Sequence, residues 1–477
     1  MSQKANTILS PEGVSRSTVE EEAPSLAPLL DRQPSMLIYT RSSPAFEELR
    51  GIFNTNVTLQ PLAIVRPRTE EEVSVVVSIC SSQSPPIPLA IRSGGHDMWG
   101  RCLAEDGVVI DIRALDHVDL ASDKKSARIG GGIRGGLLAK LLDEQDLTTP
   151  TGFCTTVGYA GWALGGGYGV LQGKYGLGCD QILAARVVTG SGAVVDTKDD
   201  PELLWALRGA GNGNFGVVVE LTIKIYPRPT MLGGYLGYPM AEAHSVLIGF
   251  RHSLEESFPD EFSGDFLVSE IPGLGAVFMV LYTWVQEGSD LTEARTHLEK
   301  FSQIGNLLMN TVSETTPSGF ATSLDPVTTA LHPRYFRTRT IANITPELAK
   351  VFQENPVPPG ACNVICHYAH GVALRPNPGA SFAQRSSHIV LGISGSPPPH
   401  CPGDGPEMAT CVDWVDTIVG HIKERGLALD SAYMNFSPPD ECDTELFYGK
   451  EKTQRFKALK EKYDDGNVFY KAYPPLH

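Results

Sequence analysis

In the stretch IRSGGHDMWG, residues 91–100, two glycines stand directly before His96 and directly after an apolar run that reads as a strand. Glycines let backbone amides approach a ligand closely, and a histidine at a loop mouth keeps a ring nitrogen free for chemistry. Alone, the decapeptide describes a strand-to-loop turn whose histidine faces water. Cys154 follows His96 by 58 residues, inside a region where twelve glycines fall between Gly152 and Gly192. No single repeat organises them, and apolar and aromatic residues interleave throughout. Such a segment is backbone packed against something flat and large rather than linker. GGGYG is not a phosphate loop, because no Gly-Lys-Ser/Thr follows, and no GxGxxG sits between a strand and a helix. CNVICHYAH, residues 362–370, offers Cys362, Cys366, His367 and His370. Its β-rich flanks argue for a strand, on which Cys366 and His367 point apart, so no metal is assigned.

The elements that must hold these residues are read from periodicity. Leu62 to Val65 reads as a strand leading into a helix with Thr69 as N-cap and Glu70 and Glu71 in the first turn. IPLAIRS and DGVVIDI read as two more strands, and Leu137, Leu138, Leu141 and Leu142 form one helical stripe. AARVVTGSGAVVDT carries a hairpin signal at Ser191-Gly192, and PELLWALRG a short helix. In GVVVELTIKIYP, Val217, Val219, Leu221, Ile223 and Ile225 alternate with Glu220, Thr222 and Lys224, as on a half-buried strand. Beyond Pro227 strands such as AVFMVLYTWV mix with amphipathic helices, and SGSPPPHCPGDGP, residues 394–406, reads as an exposed loop. The first 40 or so residues are polar and rich in Ser, Pro and Glu, and read as a loose or surface-draped arm. In the C-terminal helix Glu451 and Arg455 are spaced to pair.

A chain of 477 residues is too long for one ordinary core, so two or three packed units are expected. With 39 basic against 55 acidic side chains, a net of −16, neither nucleic acid nor an anionic membrane is a bulk partner. The nine cysteines form no tight framework of disulfides. The N-terminus lacks the apolar core of a secretory leader, and no segment approaches the roughly 18 apolar residues of a membrane span. A cytoplasmic location is the expectation.

Three segments in order carry a resemblance: RSGGH at 92–96, GFCTTVGYAGWALGGGYGVLQGKYGLGCD at 152–180, and LLWALRGAGNGNFGVVVELTIKIYP followed by YMNF and KEKYDDGNVF. Together they resemble the berberine bridge enzyme-like FAD-linked oxidases of the vanillyl-alcohol oxidase superfamily. The resemblance implies an α+β fold: a two-part FAD-binding domain of the PCMH type with an inserted substrate domain, an antiparallel sheet covered by helices. The chain then divides into an N-terminal arm (1–44), the FAD-binding domain (45–228), the substrate domain (229–427) and a C-terminal segment (428–477) returning to the first domain.

The resemblance also implies FAD held by two covalent bonds, from His96 to the flavin 8α-carbon and from Cys154 to C6. A neutral imidazole and a thiolate are suitable nucleophiles toward an electron-poor ring. Arg92, Ser93, Gly94 and Gly95 would place backbone donors against the pyrophosphate. Gly158, Gly161, Gly165 and Gly166 would lie along the ring and ribityl chain, Gly216 and Val218 on the other side, and Asn435 near the flavin. Tyr168 and Tyr433 would line the substrate position as catalytic residues, and Val157 would favour reoxidation by O2. Where relatives carry an acid, lysine or glutamine on a strand of the substrate domain, counting from Arg385 reaches Leu391 and Ile393. An apolar pocket floor is expected, and Trp162 replaces a common histidine. The function so implied is an H2O2-forming oxidase passing a hydride from a small, hydrophobic secondary-metabolite intermediate to flavin N5, with that substrate and O2 as partners. A carbohydrate or alcohol oxidase, and a flavin scaffold guiding a non-redox cyclisation, are the alternatives.

Overall fold

The computed structural model describes residues 12–476 apart from positions 257, 272, 361 and 432. Besides the short pairing of Leu147–Thr148 with Tyr226–Pro227, two small sheets come from the first half of the chain. One orders its strands Leu37–Thr40, Ala63–Arg66, Val108–Asp111 and Leu89–Arg92, with the last three parallel. The helix Glu70–Ser81 packs on it, started as expected by the Thr69 hydroxyl, which accepts from the Glu72 amide at 3.1 Å. The other sheet is antiparallel, ordered Val118–Leu120, Ser126–Gly130, Val217–Lys224, Ile182–Val188 and Val194–Asp196. Its central strand buries Val217, Leu221 and Ile223 completely, which the alternation predicts. The helix Gly135–Asp143 buries Leu138 and Leu142 of the leucine stripe.

Residues 230–395 supply a third, eight-stranded antiparallel sheet. Its six longest strands run in the order Thr230–Pro239, Gly275–Gln286, Phe262–Ile271, Asn363–Ala369, His388–Gly395 and Tyr335–Ile341, the last at the edge. Side chains alternate between the faces of a strand. One face meets the helices Ala243–Glu256, Thr292–Ser302, Pro346–Glu354 and Pro406–Glu424 in a single apolar core, which includes Val364, Cys366, Leu391 and Ile393. The opposite face turns toward the first half of the chain. After Pro406–Glu424 the chain returns there: the helix Lys450–Tyr463 buries Phe456 and Leu459 beside Trp205 and the second sheet.

Three expectations need correction. Of the segment 1–44, residues 1–11 lie outside the described residues, but the rest is no loose arm. It forms the helices Arg16–Glu22 and Ala27–Arg32 and the edge strand Leu37–Thr40. Val19, Ala23, Leu26 and Leu30 recur every three or four residues and are buried in one cluster with the helix Glu70–Ser81, although the helix breaks at Ala23, and polar composition hides them. Arg455 does not pair with Glu451. It forks onto Glu202 at 2.7 and 2.9 Å and lies 3.5 Å over the Trp205 ring, because an aromatic face and a bidentate carboxylate both suit the guanidinium plane. The exposed loop 394–406 begins later than read, since Ser394 and Gly395 complete the strand His388–Gly395.

Candidate active site

A cavity of about 440 Å³ lies between the first half of the chain and the uncovered face of the third sheet. His96 and Cys154 meet in it. His96 leaves the strand Leu89–Arg92 through the Gly94-Gly95 turn, and Cys154 sits on the loop before the helix Tyr159–Leu164. The Thr156 hydroxyl joins them, 2.7 Å from His96 Nε2 and 3.3 Å from Cys154 Sγ, and the sulfur lies 3.9 Å from the ring nitrogen. Burial, with the positive charges of Arg334, Arg134 and Arg92 nearby, pulls the His96 imidazole down to about 3. It is therefore neutral, with a lone pair available. Its ring stacks on Phe53 at 4.4 Å, and the Arg334 guanidinium covers Phe53 at 4.1 Å.

The turn that presents His96 depends on two glycines touching. A Cβ on Gly94 would lie 2.2 Å from the Gly158 nitrogen, and one on Gly158 would lie 2.1 Å from Ser93 Oγ. Gly161 differs: it lines the cavity, and nothing stands within 4 Å of where its Cβ would be. Ser93, Gly95, Val157, Gly216 and Val218 line the cavity as well. Gly165 and Gly166 do not. They stand behind the wall, where a Cβ would strike Asn435 Oδ1 at 2.2 Å or the Phe382 ring at 2.5 Å. Arg92 is likewise behind the wall, its Nη2 donating to the Gly51 carbonyl at 2.5 Å beneath the turn. It props the loop from below, where the resemblance put it against a phosphate.

Tyr168 and Tyr433 are brought together, ring centroids 4.8 Å apart and perpendicular, both buried and both on the cavity. Their hydroxyls are held differently. Tyr168 shares a 2.5 Å hydrogen bond with His388 Nε2, and His388 Nδ1 lies 2.7 Å from the Ser386 carbonyl. The carbonyl can only accept, so Nδ1 carries the hydrogen and Nε2 accepts from the phenol. Burial draws His388 down to about 4 and drives Tyr168 well up, which keeps the proton on the phenol. The Tyr433 oxygen instead accepts from Asn435 Nδ2 at 2.9 Å. Burial raises Tyr433, opposed by that bond and by hydrogen bonding to the backbone of Gly167 and Tyr168. Asn435 is fixed in turn by Asn212, which donates to its Oδ1 at 2.6 Å. Trp162 lines the wall and ties Nε1 to the Tyr168 carbonyl at 2.9 Å.

The apolar floor predicted from Leu391 and Ile393 is overturned. Both belong to the core under the helices. On the strand His388–Gly395 the cavity side belongs to the other parity, that of His388 and Ser394. A count displaced by one residue swaps the faces of a strand. The neighbouring strand adds Asn363, Ile365 and His367 to the cavity, so the floor is polar in part. His388 and His367 were both missed. His388 lies three residues beyond Arg385, and His367 sits in the stretch considered for metal binding. Cys362 and Cys366 face the core instead, as a strand requires.

These residues suit a large planar cofactor with a diphosphate. Glycine backbone and Val218 form flat walls, Gly161 leaves room for a ligand beside it, and Arg101, Arg334 and Lys471 contribute cations. Arg101 Nη1 and Arg334 Nε are buried without a hydrogen-bond partner, as donors awaiting an acceptor would be. Residues 61–198 match the FAD binding domain family. The chain is 36% identical over 450 residues to the FAD-linked oxidoreductase aurO of Gibberella zeae, covering 93% of this chain and 86% of that protein. It is 37% identical over 221 residues to (R)-6-hydroxynicotine oxidase of Paenarthrobacter nicotinovorans, covering 46% and 47% of the two chains. Among solved structures, 6-hydroxy-D-nicotine oxidase from Arthrobacter nicotinovorans superposes with a TM-score of 0.81 at 24% identity, over 91% of this chain and 96% of that one. A variant of berberine bridge enzyme also gives 0.81, at 19% identity over 95% and 100%. A glycine-walled cavity with this chemistry, in a chain this similar throughout its length, makes the protein an FAD-linked oxidoreductase of the berberine bridge enzyme-like family.

Proposed function

We propose that the protein is an oxidase with bicovalent FAD, attached through His96 and Cys154, acting on a small, hydrophobic, ring-bearing metabolite with O2 as electron acceptor. The chemistry that bound FAD supplies is acceptance of a hydride from a substrate carbon and its delivery to O2 as hydrogen peroxide. The observation that carries the attachment is the convergence of a neutral His96 and Cys154 at one place on the cavity wall, 3.9 Å apart. For substrate chemistry, Tyr168 keeps its hydrogen directed at His388 Nε2, and His388 is held by its Nδ1–H on the Ser386 carbonyl, so the phenol oxygen turns its lone pairs to accept a hydrogen bond from a substrate O–H or N–H. Tyr433 already accepts from Asn435, which leaves its own hydrogen free to donate to the substrate. Phe153, Phe336, Phe436 and the two tyrosines make an aromatic surround, favouring a ring compound over an oligosaccharide.

The test is the cofactor bond. Purified protein denatured on a gel should keep its flavin fluorescence, and peptide masses should locate flavin on His96 and Cys154. His96→Ala and Cys154→Ala should each retain one bond and the double variant none. Pigment released entirely by acid, or lost entirely in His96→Ala alone, would overturn the two-bond attachment. Peroxide released on anaerobic reduction by substrate followed by admission of O2 tests the oxidase half.

A further inference from the structure

The hydrogen bond to Tyr168 uses His388 and leaves His367, a histidine on the cavity wall, unexplained. His367 comes from the strand Asn363–Ala369 and lines the cavity, with its ring parallel to Tyr168 (5.5 Å, 2°) and to Phe153 (5.2 Å, 13°). Phe436 lies 5.5 Å away and the Tyr433 edge 6.5 Å. Such stacking fixes the ring plane. The two ring nitrogens differ in setting. Nδ1 is buried with no hydrogen-bond partner, 3.6 Å from Asp265 Oδ2, within ion-pair range but too long for a hydrogen bond. Nε2 is left to the cavity.

Asp265 reaches that position because two strands part. The ladder between Phe262–Ile271 and Asn363–Ala369 runs from Ser269↔Asn363 to Leu267↔Ile365. Beyond it the amide of Tyr368 donates to Asp265 Oδ1 at 2.7 Å, and the amide of Phe266 to Cys366 Sγ at 2.9 Å. Side chains thus replace backbone partners and set a carboxylate behind His367, inside a sheet. A buried carboxylate is costly unless it serves a positive or donating partner. Among the described residues the histidine in ion-pair range of Asp265 is His367, through Nδ1, while His370 lies near enough to feel its charge. A hydrogen on His367 Nδ1 faces the carboxylate, and Nε2 is then the acceptor presented to a ligand.

We propose that His367, positioned and backed by Asp265, binds and deprotonates an acidic hydroxyl of the ligand, a phenol or enol, on the floor of the cavity. It rests on the reading of this cavity as the substrate pocket. The proton passes from the ligand oxygen to Nε2, and the resulting imidazolium is held by the Asp265 carboxylate, so charge within the site is conserved. A phenol, with a pKa near 10, can yield its proton to imidazole in such a setting, whereas an aliphatic alcohol cannot. The aromatic rings around His367 suit the ring that carries the hydroxyl.

The experiment titrates flavin-loaded protein with 4-nitrophenol and follows the yellow phenolate in difference spectra, below the pH at which the free compound ionises. Wild type should bind it as phenolate. His367→Asn should bind it about tenfold more weakly or worse and only as the neutral phenol. Asp265→Asn should keep the binding but move the pH of half-ionisation upward, which a purely structural role would not do. Nitrobenzene should bind wild type and His367→Asn equally. Neutral 4-nitrophenol in the wild-type site, no binding at all, or full ionisation in His367→Asn would each overturn the proposal. The wild-type spectrum decides by itself where a variant fails to fold. Flavin colour and peroxide release, measured separately, report on the oxidase function without involving the phenolate signal.

Discussion

The Tyr168 hydroxyl lies 2.5 Å from His388 Nε2, across 220 residues of chain. The histidine is oriented by its second bond, from Nδ1 to the Ser386 carbonyl at 2.7 Å. A strand of the third sheet and a glycine-rich loop of the first half of the chain therefore meet through one buried proton.

Removing either end of that bond strands the other. Tyr168→Phe and His388→Leu should each cost about 1–3 kcal/mol in urea unfolding, because each leaves a buried polar atom unpaired. The double variant should fall short of the sum by about 0.5 kcal/mol or more. Strict additivity would mean that the two groups do not exchange a hydrogen bond in solution.

His388 also sets a pH dependence. Burial lowers its pKa to about 4, from 6.5 in an unfolded chain. Above 6.5 neither state binds the proton and the histidine contributes no slope. Between 6.5 and 4 the unfolded state takes up a proton that the folded state refuses, so stability falls as pH falls, at up to about 1.4 kcal/mol per pH unit. Below 4 this contribution levels off. His388→Gln, which cannot titrate, should show a shallower decline in urea midpoint across the window.

Gly158 and Gly161 are three residues apart and should respond oppositely to alanine. At Gly158 the new Cβ meets Ser93 Oγ at 2.1 Å and the Gly94 amide at 2.5 Å, so the turn holding His96 must open. We expect a loss of about 1–3 kcal/mol, together with less bound flavin. At Gly161, inside the helix Tyr159–Leu164, nothing stands within 4 Å. Alanine should leave stability unchanged or raised by up to about 1 kcal/mol from helix propensity. Flavin loading should still fall, since the methyl group enters the cavity. Melting curves and the ratio of flavin to protein absorbance read both effects.

On the C-terminal helix, Arg455→Ala should cost about 1 kcal/mol through loss of the Glu202 fork and the contact with Trp205. Glu451→Ala should stay within about 0.5 kcal/mol. Equal losses from both would restore the local i,i+4 pair read from sequence.

Much of the site was legible before any coordinates. His96, Cys154, Tyr168, Tyr433 and Asn435 all reach one cavity, and short motifs selected them: His96, Cys154 and Tyr168 stand beside glycines, and Tyr433 and Asn435 share the stretch YMNF. The helix cap at Thr69 and the stripe at Leu138 and Leu142 were legible for a similar reason: caps and stripes are made by neighbours in the chain. Other features were hidden. The helices Arg16–Glu22 and Ala27–Arg32 bury only a few apolar residues each, too few to stand out against Ser, Pro and Glu. Gly165, Gly166 and Arg92 belong to the right motifs yet stand one layer behind the wall, as supports for Asn435, Phe382 and Gly51 contacts.

By itself the sequence determined the local elements that neighbours in the chain specify, such as the cap at Thr69 and the leucine stripe, that the chain belongs with flavin-dependent enzymes, and which loops present His96 and Cys154. Tertiary structure alone decided which face of the strands Asn363–Ala369 and His388–Gly395 floors the cavity, and so put His367 and Ser394 there, with His388 behind Tyr168, in place of Leu391 and Ile393. Periodicity defines two sides of a strand but not their surroundings. Helices cover one side of this sheet and the other meets the first half of the chain, a choice made by packing between segments hundreds of residues apart.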